Sequence, residues 1–370
     1  TPPPLTTQEQ RKGARLTMII LWSVLAIVAS VYLLALLTDG FFIVSLDEIS
    51  ARLKLPSDVA GATLMAVGSS APELAIALIA LLKPGDHGDV GIGTIVGSAL
   101  FNVLVITGAS ALARPAKVAY ATVTRDVIAY SLSLGLLFWA FRDSRIELYE
   151  AAVFLAFYAA YIGVLAFWSK KLAGDEDPIA AVEEMVETGR DREGGALQRV
   201  SRAVDGVYQV LIGDPRSQFV RAFIVSIVLI SALSWVLVES GIAFATALGV
   251  PPVIVALTIL AGGTSVPDMI SSIVVARQGR GDMAIANAVG SNVFDVLVGL
   301  GLPWLIMIIA GRGTIAVGTQ ELKTSMWLLF GSVVMLYVFL ITKRTLSKTE
   351  GLILVGAYIV YVAWMYATVG

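Results

Sequence analysis

The chain has 370 residues, 57% of them hydrophobic and only 15% charged, with a net charge of −2 and a mean hydropathy of +0.83. That balance excludes a soluble globular domain, demands many membrane spans, and offers no basic surface for nucleic acid. Cysteine is absent, so disulfides, thiolate metal sites and cysteine nucleophiles are excluded as well.

Residues 1–15 are polar and proline-rich at their start and read as a disordered lead. The apolar run from Leu16 is too long for a signal-peptide core, so it is expected to be a true span. A span needs about 20 mostly apolar residues. Ten stretches qualify, near 16–38, 56–82, 90–113, 121–141, 147–169, 219–240, 250–276, 283–310, 325–342 and 351–368. The runs are continuous rather than alternating with period two, which favours helices over a barrel. His87, the single histidine, falls in a polar turn and reads as a solvated loop residue.

The polar stretch 170–218 separates two halves, 16–169 and 219–370, of five expected spans each. Five is odd, so the second half enters the membrane in the opposite sense and the repeats are inverted. Within the stretch, 178–187 and 196–211 look helical. The second places Leu197, Val200, Val204, Val207 and Leu211 on one face, as an interfacial amphipathic helix would. Eight of the 26 lysines and arginines fall on the side of the termini and 18 on the other. The termini are therefore expected outside a plasma membrane and the central loop in the cytoplasm.

The halves also repeat in detail. Pro56 to Glu73 returns 195 residues later as Pro251 to Asp268, and Asp89 to Leu104 returns 193 residues later as Asp282 to Leu297. Glu73, Asp268 and Asp295 lie well inside spans, where no Lys, Arg or His is found. A buried ionised group costs several kcal/mol or more, so these acids are either protonated or met by an external cation. Pro72 and Pro267 each free a carbonyl in the preceding turn, and glycines 68, 262 and 263 allow the helices to break there. Around the acids stand the hydroxyls of Ser69, Ser70, Ser98, Thr264, Ser265 and Ser291 and the amide of Asn102. Carbonyls, hydroxyls, carboxylates and an amide form an all-oxygen set suited to Ca2+ or Na+. Small residues such as Gly93 and Gly97, or one proline, more often mean close packing or a kink. Two symmetric acids are harder to explain that way. Asp295 stands apart, because Asn102 holds the equivalent position without a charge. Gly279 to Asp282 matches the GxGD string of intramembrane proteases by chance; it falls in an expected turn, with Asp282 read as a helix cap.

At these residues the chain resembles the cation/Ca2+ exchanger superfamily. Gly68-Ser-Ser-Ala-Pro-Glu73 with Gly97-Ser-Ala-Leu-Phe-Asn102 is similar to its first repeat. Gly263-Thr-Ser-Val-Pro-Asp268 with Gly290-Ser-Asn-Val-Phe-Asp295 is similar to its second. The run from Gly281 to Asp295 is closest to the K+-dependent Na+/Ca2+ exchangers, whereas the Ser69-Ser70 pair looks more like the K+-independent branch. The resemblance implies an all-α polytopic membrane protein, with ten transmembrane helices in two inverted five-helix repeats broken at the midplane. It implies that Glu73 and Asp268 coordinate Ca2+. The six hydroxyl residues, with the carbonyls of Ala66 and Ala261, would complete the Ca2+ and Na+ sites. An acid at Asp295 permits K+ coupling. The spans at 16–38 and 219–240 would be the movers.

The expected function is a secondary antiporter exchanging Na+ for Ca2+ by alternating access, with or without K+ co-transport. Its partners are these ions and the lipid bilayer, and no cofactor is expected. An H+/Ca2+ antiporter is the nearest alternative and a cation channel a more distant one. No nucleophile–base pair or hydrolytic metal site is visible, so an enzyme is not expected.

Overall fold

A continuous apolar segment has to satisfy its backbone hydrogen bonds internally, which makes it helical. The computed structural model follows that rule throughout. It describes residues 7–53, 66–83, 87–117, 120–169, 196–279, 281–317, 320–343 and 345–368. Expectations for 56–65, 178–187 and Arg280 lie outside the described residues.

In the first half, α1 (Thr7–Leu37) continues through a π-helical turn (Thr38–Phe42) into α2 (Ile43–Leu53). The short α3 (Ala66–Ser69) and α4 (Ala71–Leu82) follow, then α5 (Gly88–Phe101), a π-turn (Asn102–Ile106) and α6 (Thr107–Ala113). Strand β1 (Ala116–Lys117), α7 (Tyr120–Ala140), β2 (Arg145–Ile146) and α8 (Leu148–Ser169) complete that half. Helix α9 (Ala196–Ile212) precedes α10 (Phe219–Leu248), α11 (Pro252–Val255), a π-turn (Ala256–Leu260) and α12 (Ala261–Gln278). Next come α13 (Gly281–Phe294), a π-turn (Asp295–Leu300), α14 (Gly301–Met307) and a further π-turn (Ile308–Arg312). The chain ends with β3 (Ile315–Ala316), α15 (Gln320–Lys343), β4 (Thr345–Leu346) and α16 (Lys348–Ala367). Ser347 and Glu350 start α16 with reciprocal caps, which satisfy two backbone donors that would otherwise lack partners.

Among the described residues, seven helical stretches are long and apolar enough to cross a membrane: Gly13–Leu46, Gly88–Ala113, Leu148–Leu165, Phe219–Leu248, Asn287–Gly311, Gln320–Thr342 and Lys348–Ala367. Ala71–Leu82 and Pro252–Val266 are shorter apolar helices. Leu21, Trp22, Leu25 and Val28 are exposed along α1, and Val360 along α16, as faces turned to lipid would be.

Three expectations need correction. Helix begins at Thr7, not after a disordered 1–15; Gln8 to Lys12 are good helix formers and extend the span as a polar overhang. The first apolar stretch runs to Leu46 rather than ending near 38, because the π-turn carries the helix past Asp39. The second repeat has no break at Pro267: α12 is continuous from Ala261 to Gln278, and the irregularity lies upstream at 256–260. In the first repeat Ser70 does interrupt the helix, with φ −96° and ψ 8°. The side chain of Asp282, expected to cap α13, lies outside what the structure describes.

Two large apolar cores result, beside a small cluster of Phe101, Ile106 and Ala288. One joins α5, α7, α8 and α13 to α16 around Trp304, Tyr130 and Phe154. The other joins α1, α4 and α10, with Phe42 stacked on Phe223 at 5.6 Å. Two antiparallel bridges link the halves: β1 pairs with β4 through Ala116–Leu346 and Lys117–Thr345, and β2 pairs with β3 through Arg145–Ala316 and Ile146–Ile315. The amphipathic α9 lies against the second core; the Tyr208 hydroxyl donates to the Leu33 carbonyl at 3.0 Å and its ring meets Phe41 edge-on.

Candidate functional site

Ser70 stops α3, and Pro72 takes the second position of α4, where its missing N–H is no loss. Glu73 therefore enters in the first turn of α4, at the electropositive end of the helix dipole. It is 5% exposed and its Oε2 has no hydrogen-bond partner. The Thr264 side chain of α12 reaches the same carboxylate, and Thr264 also donates to the Leu260 and Ala261 carbonyls at 3.2 Å. Asp268, one turn further along α12, is partly buried and close enough to Glu73 for their charges to repel.

Asp295 opens the π-turn after α13 and is 3% exposed. Ser70 hydrogen-bonds it from the first repeat, and the charges of Glu73 and Asp268 both act on it. Its Oδ1 has no partner. Asn102 opens the equivalent π-turn in the first half. It donates to Asn292 Oδ1 at 2.9 Å and lies 3.5 Å from Ser291 Oγ; its own Oδ1 is unpartnered. A π-turn widens the helix and presents side chains off the regular spacing, a device common at functional sites.

The structure thus brings together Glu73, Asp268, Asp295, Ser70 and Thr264, and separately pairs Asn102 with Ser291 and Asn292 across the repeats. Ser69 and Asp268 both line one cavity. Ser265 is 1% exposed. Ser98 is buried but donates to Ile95 of its own helix at 3.0 Å. The Ala261 carbonyl accepts from Thr264 rather than standing open, and Ala66 begins α3. Among the described residues, no recorded ion pair reaches the three acids: the cations pair with Glu48, Glu239, Asp126, Asp143 and Glu150. Nor do three or more His, Cys, Asp or Glu side chains of the described residues converge tightly enough to hold a metal ion alone. A cation held here would have to take part of its shell from hydroxyls, amides and carbonyls.

Two residues escaped the sequence reading. Asn292 is fully buried, accepts from Asn102 and donates to the Ala99 carbonyl at 3.4 Å; Ala99 occupies its place in the first repeat, so the match between copies passes over it. Asp39, in the π-turn after α1, acts electrostatically on Asp268. The signal was its neighbourhood, Thr38-Asp39-Gly40-Phe41-Phe42, in which aromatic residues resume the apolar run.

A profile of the family described as sodium/calcium exchanger protein matches residues 22–167 and 219–367. Human sodium/potassium/calcium exchanger 5 is 32% identical over 369 aligned residues, 81% of this chain and 72% of that protein. The chicken sodium/potassium/calcium exchanger 2 is 28% identical, covering 96% of this chain and 77% of its own. Among solved structures, the sodium-calcium exchanger NCX_Mj superposes with a TM-score of 0.57 at 20% identity, over 93% of this chain and 98% of its own. The H+/Ca2+ exchanger CAX gives 0.65 at 16% identity, over 96% and 85%. These last two likenesses speak to fold alone.

Proposed function

We propose that this chain, which belongs to the sodium/calcium exchanger family, is an integral membrane antiporter that exchanges Na+ for Ca2+ by alternating access. One observation carries the reading. Glu73 Oε2, Asp295 Oδ1 and Asn102 Oδ1 are buried acceptors without donors. Buried acceptors are normally paired, and oxygens left over beside like charges suit a hard cation.

The chemistry of exchange follows from charge. Ca2+ and several Na+ compete for the same carboxylates because each neutralises the same buried charge. With neither bound, the acids would cross a low-dielectric barrier uncompensated, at several kcal/mol or more, so the empty carrier is held back and leak is suppressed. Hydroxyl donors such as Ser70 and Thr264 complete a shell for Na+ that a proton would not need.

We read the fold as ten spans in two inverted repeats, 16–169 and 219–370, joined by 170–218, with the termini outside and the central loop cytoplasmic. The bridges support this. Ten spans put the β1 and β4 loops on one side and the β2 and β3 loops on the other, and pairs form only between loops of like side. Exchanging the repeats turns the β1–β4 bridge into the β3–β2 bridge. Helices α1 and α10 pack extensively on each other, which suits a pair that slides together past the rest.

The relatives named sodium/potassium/calcium exchangers and the acid at Asp295 favour a second reading, in which K+ travels with Ca2+. Radiolabelled Ca2+ uptake into Na+-loaded proteoliposomes tests both. Uptake that needs internal Na+ is expected; a further need for external K+ that Asp295→Asn removes would make Asp295 a K+ ligand. Uptake driven by a pH gradient without Na+ refutes the main reading.

A further inference from the structure

Helices α6 and α12 run side by side away from the acids, and three contacts set their register. A Cβ at Gly262 would touch the Phe101 ring at 3.6 Å, Met269 packs with Ile106 in one apolar cluster, and Arg114, just beyond α6, donates to the Arg277 carbonyl at 3.3 Å. These partners are 161, 163 and 163 residues apart in sequence, so Ser110 of α6 stands level with Ser272 of α12. Both serines are fully buried, and neither Oγ has a hydrogen-bond partner. A buried helical serine ordinarily donates back to its own helix, as Ser45 does to Phe42 at 2.6 Å and Ser133 to Tyr130 at 2.7 Å. Buried hydroxyls are seldom left over, and here two stand at one level between two helices. Ser272 lies four residues beyond Asp268, on the same face and about 6 Å further along the axis. Packing does not call for either hydroxyl. Their counterparts in the other copies are Ala77 and Pro303, both buried and apolar, and a Cβ at Gly91 would stand 2.7 Å from the Ala77 Cα.

We propose that Ser110 and Ser272 line the passage by which a cation moves between Asp268 and the cytoplasm, as hydroxyl ligands that stand in for part of its water shell. The passenger is a hard cation, Na+ or Ca2+, which takes hydroxyl oxygen as a ligand. Along a wholly apolar wall it would give up the carboxylate with nothing in exchange; one helical turn on, two hydroxyls meet it. Arg114 shuts the far end in this structure, because its guanidinium ties α6 to the end of α12 and its charge holds cations off. The Arg114 side chain is exposed, so a swing into water unties it. The inference deepens the exchange reading and rests on it, including its assignment of this end of α6 and α12 to the cytoplasmic side.

A chain without cysteine lends itself to the test. Ser110→Cys, Ser272→Cys and, as a control in the other copy, Ala77→Cys are each treated with a cationic, membrane-impermeant thiosulfonate during Na+-driven Ca2+ uptake, in right-side-out and in inverted membrane vesicles. Both serine positions should react from the cytoplasmic face, with uptake stopping as they do, and Ala77→Cys should not react from that face. Reaction from the opposite face alone, or none while uptake proceeds, overturns the proposal. A second measurement stands apart from labelling. Ser110→Ala combined with Ser272→Ala should slow maximal uptake at least about fivefold, with an equilibrium Ca2+ Kd within about twofold of wild type. Ser272→Thr, which keeps a hydroxyl, should retain the rate. A wild-type maximal rate in the double alanine variant overturns the proposal, and so does a loss of rate matched by an equal loss of affinity, since that is what a merely structural role would give. Wild-type uptake that does not depend on Na+ sinks the exchange reading and not the passage, which the labelling judges by itself.

Discussion

A single methyl group at Gly97 tests how the two repeats meet. Helix α5 crosses the π-turn 256–260 at Gly97, so closely that a Cβ there would overlap the Leu257 carbonyl oxygen and stand 2.7 Å from the Ala261 Cβ. Ordinary contact begins near 3.4 Å, so the helices have to part by about 0.7 Å or more. The obstacle is backbone, which no rotamer change can relieve. Overpacking of this kind costs about 1–3 kcal/mol, while replacing glycine by alanine within a helix returns at most about 1 kcal/mol. Gly163→Ala on α8 isolates the second effect, because nothing lies within 4 Å of that position. Thermal melts of both variants in one detergent should place Gly97→Ala below wild type and Gly163→Ala at or above it. Since α5 also carries Ser98 and leads directly into Asn102, the Ca2+ half-saturation of Gly97→Ala should rise on the order of tenfold. A Gly97→Ala protein as stable as Gly163→Ala, with wild-type Ca2+ affinity, refutes this account of the α5–α12 contact.

Asn292→Ala strips the Asn102 amide of its 2.9 Å acceptor and should cost about 1–3 kcal/mol in a thermal melt, with Asn292→Leu no better because the missing partner is polar. Tyr208→Phe removes the donor to Leu33 while keeping the ring against Phe41; it should cost about 0.5–1.5 kcal/mol and leave the Ca2+ Kd within twofold, since α9 packs on α1 and α10 and not chiefly on the helices that carry the three acids. A larger change in Kd would contradict that separation. Asp214, in the turn before α10, accepts from the Ser217 hydroxyl at 2.7 Å and the Arg216 amide at 3.1 Å, which holds its carboxyl below the ordinary value of 3.8. The charged form is the one the turn favours, so its stabilisation is complete above the unfolded value and fades only as pH falls through the lower folded one. Amide exchange over 214–218, corrected for intrinsic rates, should match at pH 7 and 5 and accelerate in Asp214→Asn.

Much of the site was legible because its residues are duplicated and because a charge inside an apolar run is conspicuous: Glu73, Asp268 and Asp295 announce themselves this way. The amphipathic face from Leu197 to Leu211 was legible for the converse reason, an apolar stripe in a polar stretch. Asp39 was hidden by the same logic that revealed the others. An acid at the end of an apolar run looks like the end of the span, and the π-turn that carries the helix onward has no periodic signature. Asn292 was hidden because its counterpart is Ala99, so comparing the copies discounts it. Pro267 misled in the other direction: α12 runs on through that position, and the irregularity lies about two turns earlier, in the π-turn at 256–260. Two-residue strands such as Ala116–Lys117 are too short for any alternation to show.

Those short strands bear on how the molecule is made. Ala116 and Lys117 find their partners at Leu346 and Thr345, and Arg145 and Ile146 find theirs at Ala316 and Ile315. A ribosome has to synthesise about 170 further residues before the second of these clasps can shut, and about 230 before the first. Until then the first half waits in the bilayer with Gly97, Asn102 and Glu73 facing surfaces that do not yet exist. A nascent chain released before Asp268 therefore holds only one of the three acids and neither clasp.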